Sequence, residues 1–254
     1  MSSFTIFSDK KNRIDGSLPS STKISVLTPN TRGFEGAVTC VDSSGKRIVD
    51  EVAVFGSVSE GFSQKNINCS VEESVNRFTG VVEEARKEKV DVRGYISCVM
   101  GCPYDGDVNP VDVARLVEKY LSIGCTSISL GDTIGCGTPE KTRAMLGEVM
   151  AAVGGRDAMK DQGIAAHFHD TNGQALTNIK IAIEEFDVRV VDGTVGGLGG
   201  CPYAGEGASG NVSLEGVCGV VDEIGGEHGV DLEKLGEVRE WIDVVLREVD
   251  GRGE

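Results

Sequence analysis

The sequence predicts an α/β protein of the (β/α)8 TIM-barrel type that is incomplete, with about six of the eight strands and with C-terminal helices. Short β-branched runs alternate with helical stretches along most of the 254 residues, and this alternation is typical of a parallel sheet covered by helices. The unusual residues follow the predicted strands directly, where a barrel builds its active site. A doubly wound open sheet would also accept six strands, but its fingerprint G-x-G-x-x-G does not follow the first of them.

Six segments have the composition of parallel strands that are apolar on both faces and end in polar or glycine-rich turns. They are residues 24–29, 49–56, 92–99, 127–132, 164–170 and 188–195. Because both faces are apolar, we expect helices to cover this sheet.

Helix signals occupy the segments between the predicted strands. Ser70 and Glu73 form a capping box, and Asn109 and Thr138 each precede a proline at the first helical position. Gly124 is a predicted helix end. Three further helices are predicted from apolar residues on one face: Leu176, Ile179 and Ile183; Val217, Val220, Val221 and Ile224, with Gly225 behind; and Leu235, Val238, Ile242 and Val245.

These elements predict one partial barrel domain over residues 24–249, with a non-homologous and disordered segment 1–23 before it and a tail 250–254 after it. The formal net charge of −15 would repel nucleic acids and anionic membranes. No apolar run approaches the roughly 20 residues of a membrane span. We therefore expect neither a nucleic-acid nor a membrane partner.

The eight cysteines are scattered along the chain, and we expect reduced thiols in an intracellular enzyme rather than disulfides. The stretch "SCVMGCP" contains one C-x3-C pair, but a structural zinc site needs a second pair nearby.

The stretch "HFHDTNGQAL", residues 167–176, predicts a metal site. His167 and His169 alternate along the end of a strand, so their side chains point to the same face, into the barrel mouth. Imidazole binds several divalent metals, and a hard ion would add oxygen ligands. The alternative is a pair of core histidines, which the polar turn beginning at Asp170 makes less favourable.

Three further residues are candidates for the site. Cys201, in the glycine-dense loop "GGLGGCPYAGEGASGN", is a candidate proton donor or nucleophile, or a buried structural thiol. Asn211 is a candidate amide ligand, or the N-cap of the following helix. Asp132 ends a strand where barrels place catalytic carboxylates, or it caps its own turn.

Several stretches together resemble the hydroxymethylglutaryl-CoA lyase family, which belongs to the metal-dependent TIM-barrel superfamily that includes isopropylmalate and homocitrate synthases. They are "VLTPN", "KNINCSVEES", "RGYISCVMGCPYDG", "ISLGDTIGCGTP", "HFHDTNGQAL" and "GGLGGCPYA" with "GASGN". The resemblance covers about residues 24–246, and the "GGLGGCPYA" loop is the part specific to the lyase.

The resemblance implies a carbon–carbon lyase of leucine degradation and ketone body formation. Its acyl-CoA substrate would be 3-hydroxy-3-methylglutaryl-CoA, cleaved to acetyl-CoA and acetoacetate with Mg²⁺ or Mn²⁺. His167, His169 and Asn211 match the metal ligands of the family. Cys201 matches the thiol that gives a proton to the enolate, Asp132 matches a catalytic carboxylate, and His167 takes part in proton transfer.

Two departures from the family pattern shape the prediction. Family chains begin with a strand that ends in Arg-Asp-Gly-Leu-Gln, in which the aspartate binds the metal and the arginine stabilises the enolate. The stretch "KKNRIDGSLPSS" has no adjacent Arg-Asp, and a single charge-stabilising group is worth about 10²–10³ in rate. The loop after Cys201 is also one residue longer than the family's, which shifts Cys201 relative to Asn211. We therefore predict an N-terminally truncated lyase, from a shortened isoform or an imperfect gene model.

Other functional interpretations remain open at this point. The chain could be an inactive isoform or pseudoenzyme that pairs with a full-length subunit, an enzyme for another condensation of the superfamily, or a plain metal-binding module. The family suggests a homodimer in mitochondria or peroxisomes. The chain carries no targeting signal that we recognise, so the cytoplasm is the alternative compartment.

Overall fold

Six parallel strands lie side by side in the order in which they occur in the chain. The computed structural model describes residues 22–200 and 210–250, the last two of these as backbone only. The strands are β1 Ser25–Leu27, β2 Glu51–Ser57, β3 Asp91–Ser97, β4 Ser127–Asp132, β5 Ile164–Phe168 and β6 Val190–Val191. A doubly wound sheet would reverse its strand order at one point, whereas this order has no reversal. The predicted class, a TIM-barrel type with six of eight strands, is confirmed.

Helices follow the strands in the described part of the chain. They are α1 Thr31–Val38, α2 Glu60–Ile67, α3 Val71–Glu88, α4 Pro110–Ile123, α5 Pro139–Val153, α6 Arg156–Asp161, α7 Ala175–Phe186, α8 Leu214–Glu223 and α9 Leu232–Asp250. The capping box of Ser70 and Glu73 is formed, Asn109 and Thr138 cap α4 and α5, and Gly124 ends α4 in the left-handed conformation. The predicted α3, α4, α5, α7, α8 and α9 are confirmed.

The prediction that every strand is apolar on both faces is wrong for β3. Its residues alternate between buried and half-buried; Val92 and Ile96 join the main core, while Arg93 and Tyr95 point to the opposite face. That face is polar because it lines the inside of the curved sheet, which the helices do not cover.

The curvature of the sheet is visible in contacts between strands that are not neighbours. Ser129 of β4 donates a hydrogen bond of 2.7 Å to Asp192, the residue after β6. In a flat sheet, β4 and β6 would lie about 10 Å apart, since neighbouring strands are spaced by about 4.8 Å. The two short side chains meet because the sheet curls toward this face, as in a barrel.

The first strand of the sheet is exposed on one side. Leu27 of β1 is 61% exposed, and β2 is the strand with which β1 pairs in the described sheet. The C-terminal helix α9 also has exposed apolar residues, among them Trp241. No helix within the described ranges has the length and apolar character needed to cross a membrane.

Candidate metal centre

The structure brings the two predicted histidines together at the carboxyl end of β5. Their ring centroids lie 5.3 Å apart with an interplanar angle of 64°. His169 is buried, and its backbone N–H donates to the carbonyl of Asp132 at 3.2 Å. The β4–α5 loop therefore fixes His169, while the His167 side chain is 30% exposed toward the inside of the sheet.

Asn211 lies beside this pair. Its backbone forms an antiparallel bridge with His169, and its side-chain Nδ2 donates to the carbonyl of Leu198 at 2.9 Å. Because Nδ2 is used in this way, Oδ1 remains available as an acceptor or a ligand. The alternative role as a helix N-cap does not hold, since the side chain of Ser213 accepts from Gly216 and caps α8.

The chemistry of these donors fits a divalent ion. Nδ1 of His169 is buried without a hydrogen-bond partner among the described residues. Burial, together with the neighbouring His167, lowers the pKa of His169 to about 4, and a hydrogen bond to the backbone of Thr133 acts against this shift. The imidazole is therefore neutral near pH 7, the form that binds metals.

Within residues 22–200 and 210–250, no cluster of three or more His, Cys, Asp or Glu side chains could hold a metal ion. Two imidazoles and the Asn211 amide are thus the donors that the described part of the chain supplies. Water and substrate oxygens commonly complete such a shell around a hard ion.

A polar cluster beside His167 was not predicted from the sequence. A pocket of about 370 Å³ is lined by residues that include Tyr95, His167, Asp192 and Asn211. The pKa of Tyr95 is raised to about 12 by burial and by the charge of Asp192, with Arg93 opposing the shift. The phenol is therefore protonated at neutral pH. The sequence signal for this cluster was the alternation of polar residues in "DVRGYIS".

Asp132 occupies the position after β4 that the sequence predicts, but its carboxylate faces its own loop. Oδ1 accepts from the N–H of Cys136 at 3.1 Å and Oδ2 from the N–H of Gly137 at 2.8 Å. Burial raises the pKa of Asp132, and these two hydrogen bonds act against that rise. This geometry is that of the turn-capping alternative, and a catalytic role for Asp132 stays a prediction.

Cys201, the predicted proton donor, lies outside the described residues. The cysteines within the described ranges are free thiols. Of the C-x3-C pair, both Cys98 and Cys102 are buried, and the sulfur of Cys102 contacts the hydroxyl of Ser59 at 2.9 Å.

A curved parallel sheet with paired histidines at the carboxyl end of a strand defines a protein of the TIM-barrel class. The HMGL-like family model matches residues 14–242. The chain belongs to the HMGL-like family, whose members depend on a divalent metal.

Similar proteins carry the lyase name. The cytoplasmic 3-hydroxy-3-methylglutaryl-CoA lyase of Danio rerio is 49% identical over 217 residues, which cover 85% of this chain and 60% of that protein. The mitochondrial hydroxymethylglutaryl-CoA lyase of Mus musculus is also 49% identical over 217 residues and is covered to 62%. The chain therefore spans about three fifths of the length of these relatives.

Solved structures give the same result for the fold. The HMG-CoA lyase of Brucella melitensis superposes with a TM-score of 0.79 at 43% identity, covering 88% of this chain and 74% of the other. The hydroxymethylglutaryl-CoA lyase of Pseudomonas aeruginosa superposes with a TM-score of 0.81 at 46% identity, covering 90% of this chain and 71% of the other. An HMG-CoA lyase of Acinetobacter baumannii, 30% identical with a TM-score of 0.77, was solved with coenzyme A and 3-methylmalate; the match covers 91% of this chain and 70% of that one.

Proposed function

We propose that the chain acts as a hydroxymethylglutaryl-CoA lyase, cleaving 3-hydroxy-3-methylglutaryl-CoA to acetyl-CoA and acetoacetate. The observation that carries this proposal is the meeting of His167, His169 and Asn211 at the carboxyl ends of the strands, in a chain whose relatives bear that name. The coenzyme A found with one related lyase supports an acyl-CoA substrate.

His167, His169 and Asn211 would hold a Mg²⁺ or Mn²⁺ ion. When bound, such an ion supplies Lewis acidity to the hydroxyl and carboxylate oxygens of the substrate. The protein residues then divide the proton transfers. The substrate hydroxyl loses its proton to solvent in a transfer in which His167 takes part, the C–C bond breaks as the alkoxide becomes the ketone of acetoacetate, and the thiol of Cys201 gives a proton to the acetyl-CoA enolate that leaves.

The test is an assay of acetoacetate release by the whole chain with Mn²⁺ or Mg²⁺. We expect turnover that depends on the metal and is lost in His169→Ala and in Cys201→Ala. Cys40→Ala is the matched control, since Cys40 is another free thiol in the β1–β2 connection, remote in sequence from the site. A folded chain that binds the metal and releases no acetoacetate would contradict the proposal.

A second function is favoured by the exposed first strand. Leu27 is 61% exposed at the side of the sheet where two further strands would close a barrel. A chain of this kind would be inactive alone and would pair with a full-length subunit. Mixing it with a full-length relative and measuring molar mass by light scattering tests this: a new complex supports pairing, and two unchanged species exclude it.

The domain bounds, the assembly and the compartment are proposed as well. We propose residues 24–249 as the lyase domain and a homodimer as the assembly, and Asp132 stays a predicted catalytic-site carboxylate beside its turn-capping role. Relatives are named mitochondrial and cytoplasmic, and we propose mitochondria or peroxisomes, with the cytoplasm as the alternative. Imaging of the tagged chain beside markers of these compartments decides among them.

A further inference from the structure

Asp192 lies next to His167 although 25 positions separate them in the numbering. The backbone N–H of Asp192 donates to the carbonyl of Ala166 at 2.9 Å, which places the residue beside β5, one position before the histidine. Its side chain turns to the inside of the sheet and is 20% exposed. The backbone alone therefore places Asp192 beside the His167 end of β5.

The carboxylate of Asp192 is held by two other strands. Oδ1 accepts from the guanidinium of Arg93 at 2.6 Å, and Oδ2 accepts from the hydroxyl of Ser129 at 2.7 Å. These two contacts hold the carboxylate in a fixed orientation.

The same Oδ2 faces the ring of His167. It lies 3.4 Å from Nδ1, and Nδ1 is buried with no hydrogen-bond partner within the described residues. The ring also contacts Tyr95, whose ring stands edge-on at 5.8 Å and 86°, and the ring of His169. Arg93 also lies over Tyr95, 5.1 Å from its centroid.

We propose that Asp192 is a positioning residue for His167: its carboxylate, fixed by Arg93 and Ser129, keeps the proton of the imidazole on Nδ1 and directs Nε2 toward the ligand site. The inference rests on the proposed function in taking His167 as a metal ligand. Carboxylates that orient a ligating histidine in this way typically contribute 10- to 100-fold in metal affinity.

A purely structural role would have different consequences. If the Arg93–Asp192 pair served only to tie β3 to the end of β6, removing the charge would change the stability of the fold and leave the ring of His167 unaffected. The tautomer of His167 therefore separates the two roles, and it can be measured without metal and without substrate.

The sequence contains three histidines, so their side-chain ¹⁵N–¹H correlation spectra are readily assigned. We would compare the metal-free chain with Asp192→Asn, which keeps the size of the side chain and leaves one acceptor oxygen for three donors. Asp222→Asn is the matched control, because Asp222 lies 3.3 Å from Nε2 of His228 in a second His–Asp contact outside the site. Mn²⁺ affinity is then measured by titration calorimetry on all three proteins.

We expect the parent chain to show His167 protonated on Nδ1, and Asp192→Asn to change that tautomer and to weaken Mn²⁺ binding about 10- to 100-fold. Asp222→Asn should move the His228 signals alone. An unchanged His167 tautomer and affinity in folded Asp192→Asn would overturn the proposal.

If Asp192→Asn does not fold, Ser129→Ala replaces it, since it keeps the charge and frees the carboxylate. Shifted His167 signals then support positioning, and unshifted signals overturn it. Absence of Mn²⁺ binding by the parent chain would contradict the proposed function, while the tautomer comparison would still test Asp192.

Discussion

Asp132→Asn distinguishes a structural carboxylate from a catalytic one. Both oxygens of Asp132 accept backbone N–H groups, from Cys136 and Gly137, in a site that is 1% exposed. An amide keeps one acceptor and turns its NH2 group toward the other N–H, so one buried donor is left without a partner. A hydrogen bond to a charged group contributes about 1.5–3 kcal/mol. The removal of a buried charge, whose cost is visible in the raised pKa of Asp132, offsets part of this.

We therefore expect Asp132→Asn to lower the free energy of unfolding by about 1–3 kcal/mol, which corresponds to roughly 2–12 °C in Tm for a chain of this size. Urea unfolding followed by circular dichroism measures it, with Asp161→Asn as the control because that carboxylate is exposed. The Mn²⁺ affinity of the folded variant should stay within about threefold of that of the parent chain, because the substitution removes none of the proposed metal ligands. A threefold change corresponds to less than about 1 kcal/mol in binding free energy. A variant as stable as the parent but without lyase activity would refute the structural reasoning and make Asp132 catalytic.

Three further predictions concern stability and exposure. Gly137→Ala should lower the free energy of unfolding by about 1–3 kcal/mol in a urea titration, because a Cβ there would overlap Met100. Gly147→Ala lies in open space within α5 and should raise it by up to about 1 kcal/mol. Equal effects of the two substitutions would contradict this account of the packing. Ser70→Ala should lower the stability by about 1 kcal/mol through loss of the capping box, and an unchanged urea midpoint would show that this cap contributes nothing. Trp241 is the single tryptophan and is 65% exposed, so its fluorescence should shift little to the red on unfolding. A blue-shifted, concentration-dependent emission would instead show that a second copy covers α9.

The sequence predicted those elements whose signals are local. Helix α3 was predicted from its capping box, and α4 and α5 were predicted from an N-cap followed by proline, because these signals lie within four residues of one another. The helices α1, α2 and α6 were not predicted, since they have 8, 8 and 6 residues and are too short to repeat an apolar face. The predicted strand 188–195 shortens to Val190–Val191, and the chain turns into a short 3-10 helix at Val195–Gly197 instead of continuing the strand.

The site was predicted where the contacts are near in sequence and missed where they are distant. His167 and His169 are two positions apart, so the period of a strand was enough to place them together. Asp192 meets Ser129 across 63 positions and Arg93 across 99. No local pattern fixes which residues of separate strands meet, because that depends on the curvature of the whole sheet.

The two His–Asp contacts of this chain show why residue type alone does not identify a site. His228 and Asp222 lie 3.3 Å apart and His167 and Asp192 lie 3.4 Å apart, so the distances hardly differ. The surroundings do differ: the side chain of Asp222 is 56% exposed, whereas that of Asp192 is 20% exposed and is held by two further donors. Water screens and competes with an exposed pair, which therefore contributes little, but it reaches the inner pair poorly. The orientation of His167 is thus a consequence of the curled sheet that buries Asp192, and a chain that lost this curvature would keep both residues and lose the site.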